Sequence, residues 1–109
     1  MENPISNQQN NKIFIQGITN NGKKFRPSDW AERLCCSVSC FTPAGQGIKN
    51  NFCGIFSPYA VPVFIGDIQF VMVDKKLMEF EFKAFNFLMD FAKDNDLPIL
   101  EACEVKEKN

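Results

Sequence analysis

The pattern of apolar and polar positions divides the chain into a short series of elements. Ile13-Phe14-Ile15-Gln16-Gly17-Ile18 is β-branched and aromatic and predicts a first strand. Asn20-Asn21-Gly22 comes next as a turn, because Asn and Gly tolerate positive φ. Trp30, Leu34, Val38 and Phe41 recur at the spacing of one helical face and predict a helix over about 29–41. Ser28 is the expected N-cap, with Pro27 before it and Asp29 in the first turn, where the helix dipole favours an anion. Pro43 and Gly45 are the expected stop. Val61-Pro62-Val63-Phe64-Ile65 and Ile68-Gln69-Phe70-Val71-Met72-Val73 flank Gly66-Asp67 and predict a hairpin, with Pro62 at a strand start or an edge. A second helix is predicted from about Glu79 to Asp94. Phe80, Ala84, Phe87, Leu88 and Phe91 share its expected sheet-facing side, with Phe82, Phe85, Met89 and Ala92 beside them. That apolar arc is wider than one sheet requires, so Phe82 and Phe85 need another cover. Leu97-Pro98-Ile99-Leu100 begins a last strand running to about Val105.

The order β-α-β-β-α-β predicts an α+β two-layer sandwich of ferredoxin-like type, with a mainly antiparallel four-stranded sheet and two helices on one face. A peripheral last strand is the competing topology. Residues 42–60 read as a long loop, functional or mobile, whose Phe52, Ile55, Phe56 and Tyr59 suggest a packed lid. Residues 1–11 are Asn/Gln-rich and residues 104–109 are charged, so both read as tails around a single domain at 12–103.

Composition narrows the chemistry. The chain of 109 residues contains twelve Phe and no His. Without His there is no Ser-His or Cys-His dyad, no His-ligated metal and no imidazole acid or base near neutral pH. The net charge is -1, and the pairs Lys23-Lys24 and Lys75-Lys76 are the densest basic spots. That footprint argues against nucleic-acid binding. Met1-Glu2-Asn3-Pro4 lacks a leader pattern, and no stretch approaches the roughly 20 apolar residues of a membrane helix. The expected location is cytoplasmic, with no membrane association. Five Cys is an odd number, and in a reducing compartment no disulfide framework is expected.

Several runs are distinctive: Ile15-Gln16-Gly17-Ile18-Thr19, Gly22, Phe25 to Leu34, Ser57-Pro58-Tyr59, Val71-Met72-Val73-Asp74, and Phe91 to Leu97. With these the chain resembles, over roughly residues 13–100, a family of small proteobacterial proteins grouped as domain of unknown function 3579. The resemblance implies a bacterial, cytosolic single domain and carries no activity with it. The family tends to have Pro near the position of Phe82, at the start of the second helix, so Phe82 leaves that start open by several residues.

The candidate sites rest on residue type and spacing. Cys35, Cys36, Cys40 and Cys53 are the thiolates a zinc or iron–sulfur site would need, but the spacing is poor and adjacent helical cysteines diverge. They read instead as small buried hydrophobes with one or two exposed thiols, and no metal or cofactor is expected. Asp94-Asn95-Asp96 is a fragment of a calcium loop without its remainder and reads as helix termination. Asp74 reads as an acid/base group or the cap of the next element, with no second carboxylate to pair with it. Gly45-Gln46-Gly47 lacks the context of a nucleotide loop.

The best candidate is the segment from Phe25 to Arg33. The chain has only two arginines among its twelve basic residues, and both fall there with the only Trp. Arg is the residue for planar, bidentate recognition of carboxylate or phosphate. Arg26, Ser28, Asp29, Trp30 and Arg33, with Tyr59 from the 42–60 loop, are the candidate ligand or partner residues. The alternative is internal: Arg26 paired with Asp29 or Glu32, Trp30 in the core, and Arg33 solvated. No catalytic residue is assigned. The sequence favours a non-enzymatic interaction or regulatory module, a homodimer or one with an unknown protein partner, using excess apolar surface on the second helix or an edge strand. The alternative is a sensor-type domain binding a small anion under the 42–60 loop. An enzyme without histidine is the least supported class.

Overall fold

The computed structural model describes residues 11–101. Residues 102–105 of the expected last strand lie outside the described residues. So do the expected charged tail at 104–109 and, apart from Asn11, the expected N-terminal tail. The elements in chain order are β1 (Lys12–Gln16), α1 (Trp30–Ser37), β2 (Ile48–Asn50), β3 (Gly54–Phe56), β4 (Ala60–Ile65), β5 (Ile68–Asp74), α2 (Lys76–Phe80), α3 (Phe82–Asp94) and β6 (Ile99–Glu101).

The main sheet has the order β4-β5-β1-β6, and all its pairings are antiparallel. Register obeys the alternation. Ile13 lies opposite Val73, Ile15 opposite Val71, and Ala60 opposite Val73, so these residues share one face. They form the core with Trp30, Ala31, Leu34 and Cys35 of α1 and with Ala84, Phe85, Leu88 and Ala92 of α3. The opposite face carries Phe14, Val61 and Met72 in register, with Phe70 edge-on to Phe14 at 6.2 Å. The predicted turn at Gly66-Asp67 is present, with Gly66 at φ 66°.

The domain is therefore α+β with a four-stranded antiparallel sheet, but it has three helices rather than two. The second predicted helix is divided at Glu81, whose backbone is extended (φ -156°, ψ 96°). Asp74 serves the short α2, its Oδ1 accepting from the Lys76 N–H at 2.9 Å. The inward face of α3 is also rotated from expectation. Ala84, Phe85, Leu88 and Ala92 face the core. Phe80, Phe82 and Phe87 are exposed at 46%, 58% and 47%. Phe85 thus finds its cover in the core, and Phe87 does not face the sheet.

The end of α3 shows why Asp94-Asn95-Asp96 is there. Asp96 sits at φ 61°, the Asp96 N–H bonds the Lys93 carbonyl at 3.3 Å, and the Leu97 N–H reaches the Ala92 carbonyl at 2.9 Å. That pair of bonds is a Schellman cap, completed by Leu97 packing in the core with Ala92. Asn20 donates from Nδ2 to Asp96 Oδ1 at 2.7 Å and ties the first turn to this cap.

Helix α1 ends at Ser37, well short of Pro43. Ser37 and Ser39 hydroxyls donate to the carbonyls of Leu34 and Cys36 at 2.6 and 2.9 Å. The Val38 and Ser39 N–H groups take i−3 carbonyls. Such side-chain competition unwinds a helix end before any proline is met. At the other end Ser28 is not the cap: Asp29 occupies that position, without a side-chain capping bond. The expected loop at 42–60 contains a hairpin, β2–β3, in which Phe56 is buried and Phe52 and Ile55 are exposed. It is only in part the packed lid expected.

Leu88→Ala is expected to lower stability by about 2–5 kcal/mol, because it opens a cavity in the core. Phe82→Ala should stay within about 0.5 kcal/mol. Chemical denaturation of the two variants checks the assigned face, and equal losses would reverse it.

Candidate functional site

Helix α1 presents Trp30, Arg33, Leu34 and Ser37 on one stripe, at i, i+3, i+4 and i+7. Helix α3 presents Phe87 and Phe91 one turn apart. With Phe25, Arg26 and Pro27 from the approach to α1, these residues line a groove of about 280 Å³ along the seam between the two helices.

An aromatic cluster forms its floor. Trp30 and Phe91 lie nearly parallel (7°) with centroids 6.2 Å apart. Phe25 stands edge-on to both, at 5.5 Å from Trp30 and 5.9 Å from Phe91. Edge-to-face and offset-stacked pairs each add about 0.5–1.5 kcal/mol beyond burial. The indole is held from behind by Gly17: a Cβ there would run into the Gln69 carbonyl oxygen and come within 2.9 Å of Trp30 Cζ2. Gly17 N–H bonds the Gln69 carbonyl at 2.9 Å, and Phe25 N–H bonds the Gly17 carbonyl at 3.0 Å. The glycine therefore sets the depth at which the tryptophan sits. The Arg26–Pro27 peptide at the groove edge is cis.

Charge stands on the rim. Arg33 donates from Nε to Asp29 Oδ1 at 3.0 Å, and its side chain is 70% exposed. A pair this exposed is worth about 0.3–0.5 kcal/mol and leaves most of the guanidinium donors free. Arg26 is exposed and pairs with no described residue. The internal pairing of Arg26 with Asp29 or Glu32 is thus not made. Asp29 holds Arg33, and Glu32 Oε2 accepts from Gln69 Nε2 at 2.9 Å.

The structure brings Arg26, Trp30 and Arg33 together, with Asp29 bonded to Arg33, and sets Ser28 and Tyr59 outside the groove. Ser28 lines a different hollow of about 170 Å³, shared with Lys24, Asp67 and Gln69 and also bordered by Phe25 and Trp30. Tyr59 packs on Phe80, with ring centroids 5.5 Å apart, and lines no part of the groove. The groove does not lie under the 42–60 loop. A larger hollow of about 610 Å³ is lined only by Lys49 to Asn51 and Cys53 to Ile55 of one hairpin, which cannot enclose a ligand. Leu34, Ser37, Phe87 and Phe91 are the groove residues that lie outside the candidate segment from Phe25 to Arg33. The signal for Phe87 and Phe91 was their i, i+4 spacing on an overfilled apolar arc.

The cysteines do not gather as ligands. Cys36 and Cys53 form a disulfide, correcting the expectation that all stay thiols. It joins residues 17 apart with a Cα–Cα distance of 5.8 Å, and a loop of that length is worth about 3 kcal/mol in the chain-entropy account. Cys35 is buried and Cys40 exposed. Burial, reinforced by the Glu32 charge, pushes the Cys35 thiol far above its ordinary range, so it is no nucleophile. Among the described residues no three Cys, Asp or Glu form a metal-binding group.

Two measurements check this geometry. Gly17→Ala should displace the indole, costing about 1–3 kcal/mol and shifting the emission of the sole Trp; unchanged emission would remove Gly17 as the backing of the site. A thiol whose folded pKa is raised stabilises the fold fully below its unfolded pKa. That contribution is lost as pH rises past the ordinary value of 9.0. Wild type should therefore lose stability above that pH faster than Cys35→Ala, by up to about 1.4 kcal/mol per pH unit. Parallel slopes would contradict the burial assigned to Cys35.

No helix among the described residues is long and apolar enough to cross a membrane. A search of the curated proteins finds no match. A solution structure described as the first structural representative of its family is similar at 39% identity and a TM-score of 0.68. The match covers 91% of this chain and 84% of that one. The model of a family described as protein of unknown function, DUF3579, matches residues 9–102. With that match spanning nearly the whole sequence, this chain belongs to the DUF3579 family.

Proposed function

We propose that this chain is a non-enzymatic binding module whose α1–α3 groove takes an amphipathic organic anion. Its carboxylate or phosphate meets Arg26 and Arg33, and its apolar body lies on Trp30, Phe87 and Phe91. The observation that carries this reading is the juxtaposition of a guanidinium that has no partner among the described residues with an open aromatic groove. An apolar cleft with few polar groups at its edge suits a small ligand, and a charge-assisted bond to Arg is worth about 1.5–3 kcal/mol. Charge and apolar surface set side by side offer binding without an acid/base pair, in keeping with a chain that has no His. The module is further read as bacterial and cytoplasmic. It is read as a ferredoxin-like variant, which the order of last, first, third and second strand in the main sheet supports.

A second reading is self-association, favoured by Met78, Phe80 and Phe82, which are exposed along α2 and the start of α3. Light scattering at high concentration tests it, and a strict monomer would remove it.

For the groove, Trp30 is its own reporter. Titration with octanoate should change Trp30 emission saturably, while octylamine should not. Arg26→Ala should weaken octanoate binding by about tenfold without changing stability, because the side chain is exposed and unpaired. An equal response to octanoate and octylamine would overturn the anionic part of the proposal. No response to either would overturn the groove itself.

A further inference from the structure

The stretch between α1 and β4 is attached to the body in an unusual way. Val38 and Phe56 belong to the core and the half-buried Phe41 packs against it, but from 42 to 55 no residue is buried. Ile48, Phe52 and Ile55 are exposed apolar residues on this excursion. Most of its hydrogen bonds are its own. β2 pairs only with β3, Gln46 N–H bonds the Pro43 carbonyl, and Asn50 Oδ1 accepts from the N–H groups of Phe52 and Cys53 at 2.7 and 3.0 Å. Ser57 Oγ donates to the Phe41 carbonyl at 2.8 Å near its base. The covalent tie is the Cys36–Cys53 disulfide, which fixes the β2–β3 turn to the last turn of α1. A segment with no buried residue opens at little cost in packing, so a single bond at its tip decides whether it is held.

We infer that Cys36 and Cys53 are a reversible thiol-oxidation site that clamps the β2–β3 hairpin, with a low-molecular-weight disulfide as oxidant. Cys53 is exposed and Cys36 half-buried, so Cys53 is the point of entry. Its thiolate attacks one sulfur of the small disulfide, forms a mixed disulfide and releases the first small thiol. The Cys36 thiolate then attacks the Cys53 sulfur, closes the protein disulfide and releases the second. Two electrons pass from the cysteine pair to the small disulfide, and the two protons leave with the two small thiols. Lys49 lines the same hollow as Cys53 and sets a cation beside the approach of an anionic disulfide such as oxidised glutathione. Cys40 is an exposed thiol in an adjoining hollow that also contains Lys49 and Ile55, and it is the natural competitor for pairing. This inference is independent of the anion groove.

The test uses the full chain equilibrated with oxidised or reduced glutathione. Differential alkylation and mass spectrometry should map the oxidised pair to Cys36 and Cys53. Lys49 is the sole basic residue between Arg33 and Lys75, so limited trypsin digestion reports on the hairpin directly. Cleavage at Lys49 should be about tenfold faster in the reduced protein than in the oxidised one. Cys53→Ser, at an exposed position that loses no packing, should be cleaved at the reduced rate under both conditions. Cys40→Ser should retain the full redox difference. Equal Lys49 cleavage in both wild-type states would overturn the clamp. A map pairing Cys40 with either partner, or a pair that oxidised glutathione leaves as thiols, would overturn the site.

Discussion

The seam between α1 and α3 depends on where Trp30 sits. Its indole rests against the bare backbone of Gly17 on one side and lies parallel to Phe91 on the other, with Phe25 closing the edge. Through Gly17 the tryptophan is referred to β1 and β5, because the Gly17 N–H bonds the Gln69 carbonyl. Through Phe91 it is referred to α3. One side chain thereby sets the spacing of two helices against the sheet. The groove is the space left above it, since Phe87 continues the α3 wall outward beyond the reach of the core.

Burial and charge divide along this seam. Below the indole, Ile13, Ile15, Val71, Val73, Leu88 and Ala92 make an apolar interior. Above it, Arg26 and Arg33 stand exposed, one with no partner among the described residues and one held by a weak exposed contact to Asp29. Such arginines add little to stability, and removing them costs little. Their position at the edge of an aromatic floor is where the proposed anion would meet them. Among the four cysteines of the described region, Cys35 belongs to the core and the disulfide belongs to the hairpin. Neither contributes to the groove.

Much of this was legible in the residues. The β-branched and aromatic runs in 13–18 and 61–73 place three strands, and Gly66-Asp67 places the hairpin of the last two, because short β-rich runs around a two-residue Gly turn have few alternative readings. The arginines stood out because ten Lys make Arg rare in this chain. The inward face of α3 differs from expectation because Phe82, Phe85, Phe87 and Phe91 fill its arc so evenly that periodicity no longer selects a side. The break at Glu81, whose backbone is extended, resets the phase. A single lid would set Tyr59 with Arg26, whereas Tyr59 lies just before β4 and packs on Phe80. The Cys36–Cys53 bond was not legible, since it depends on a hairpin folding back across residues that show little hydrophobic pattern.

The central claim is that the α1–α3 seam is both the structural joint of the domain and its binding surface. The most direct test is an NMR titration of isotope-labelled protein with octanoate, tracking the Trp30 indole, the Phe87 and Phe91 rings and the Arg26 and Arg33 side chains. The account predicts that the largest shifts converge on these five residues, with contacts from the ligand methyl to Phe87 and Phe91. Shifts concentrated on the β2–β3 hairpin or the Phe80–Phe82 surface, with the Trp30 indole unmoved, would contradict it.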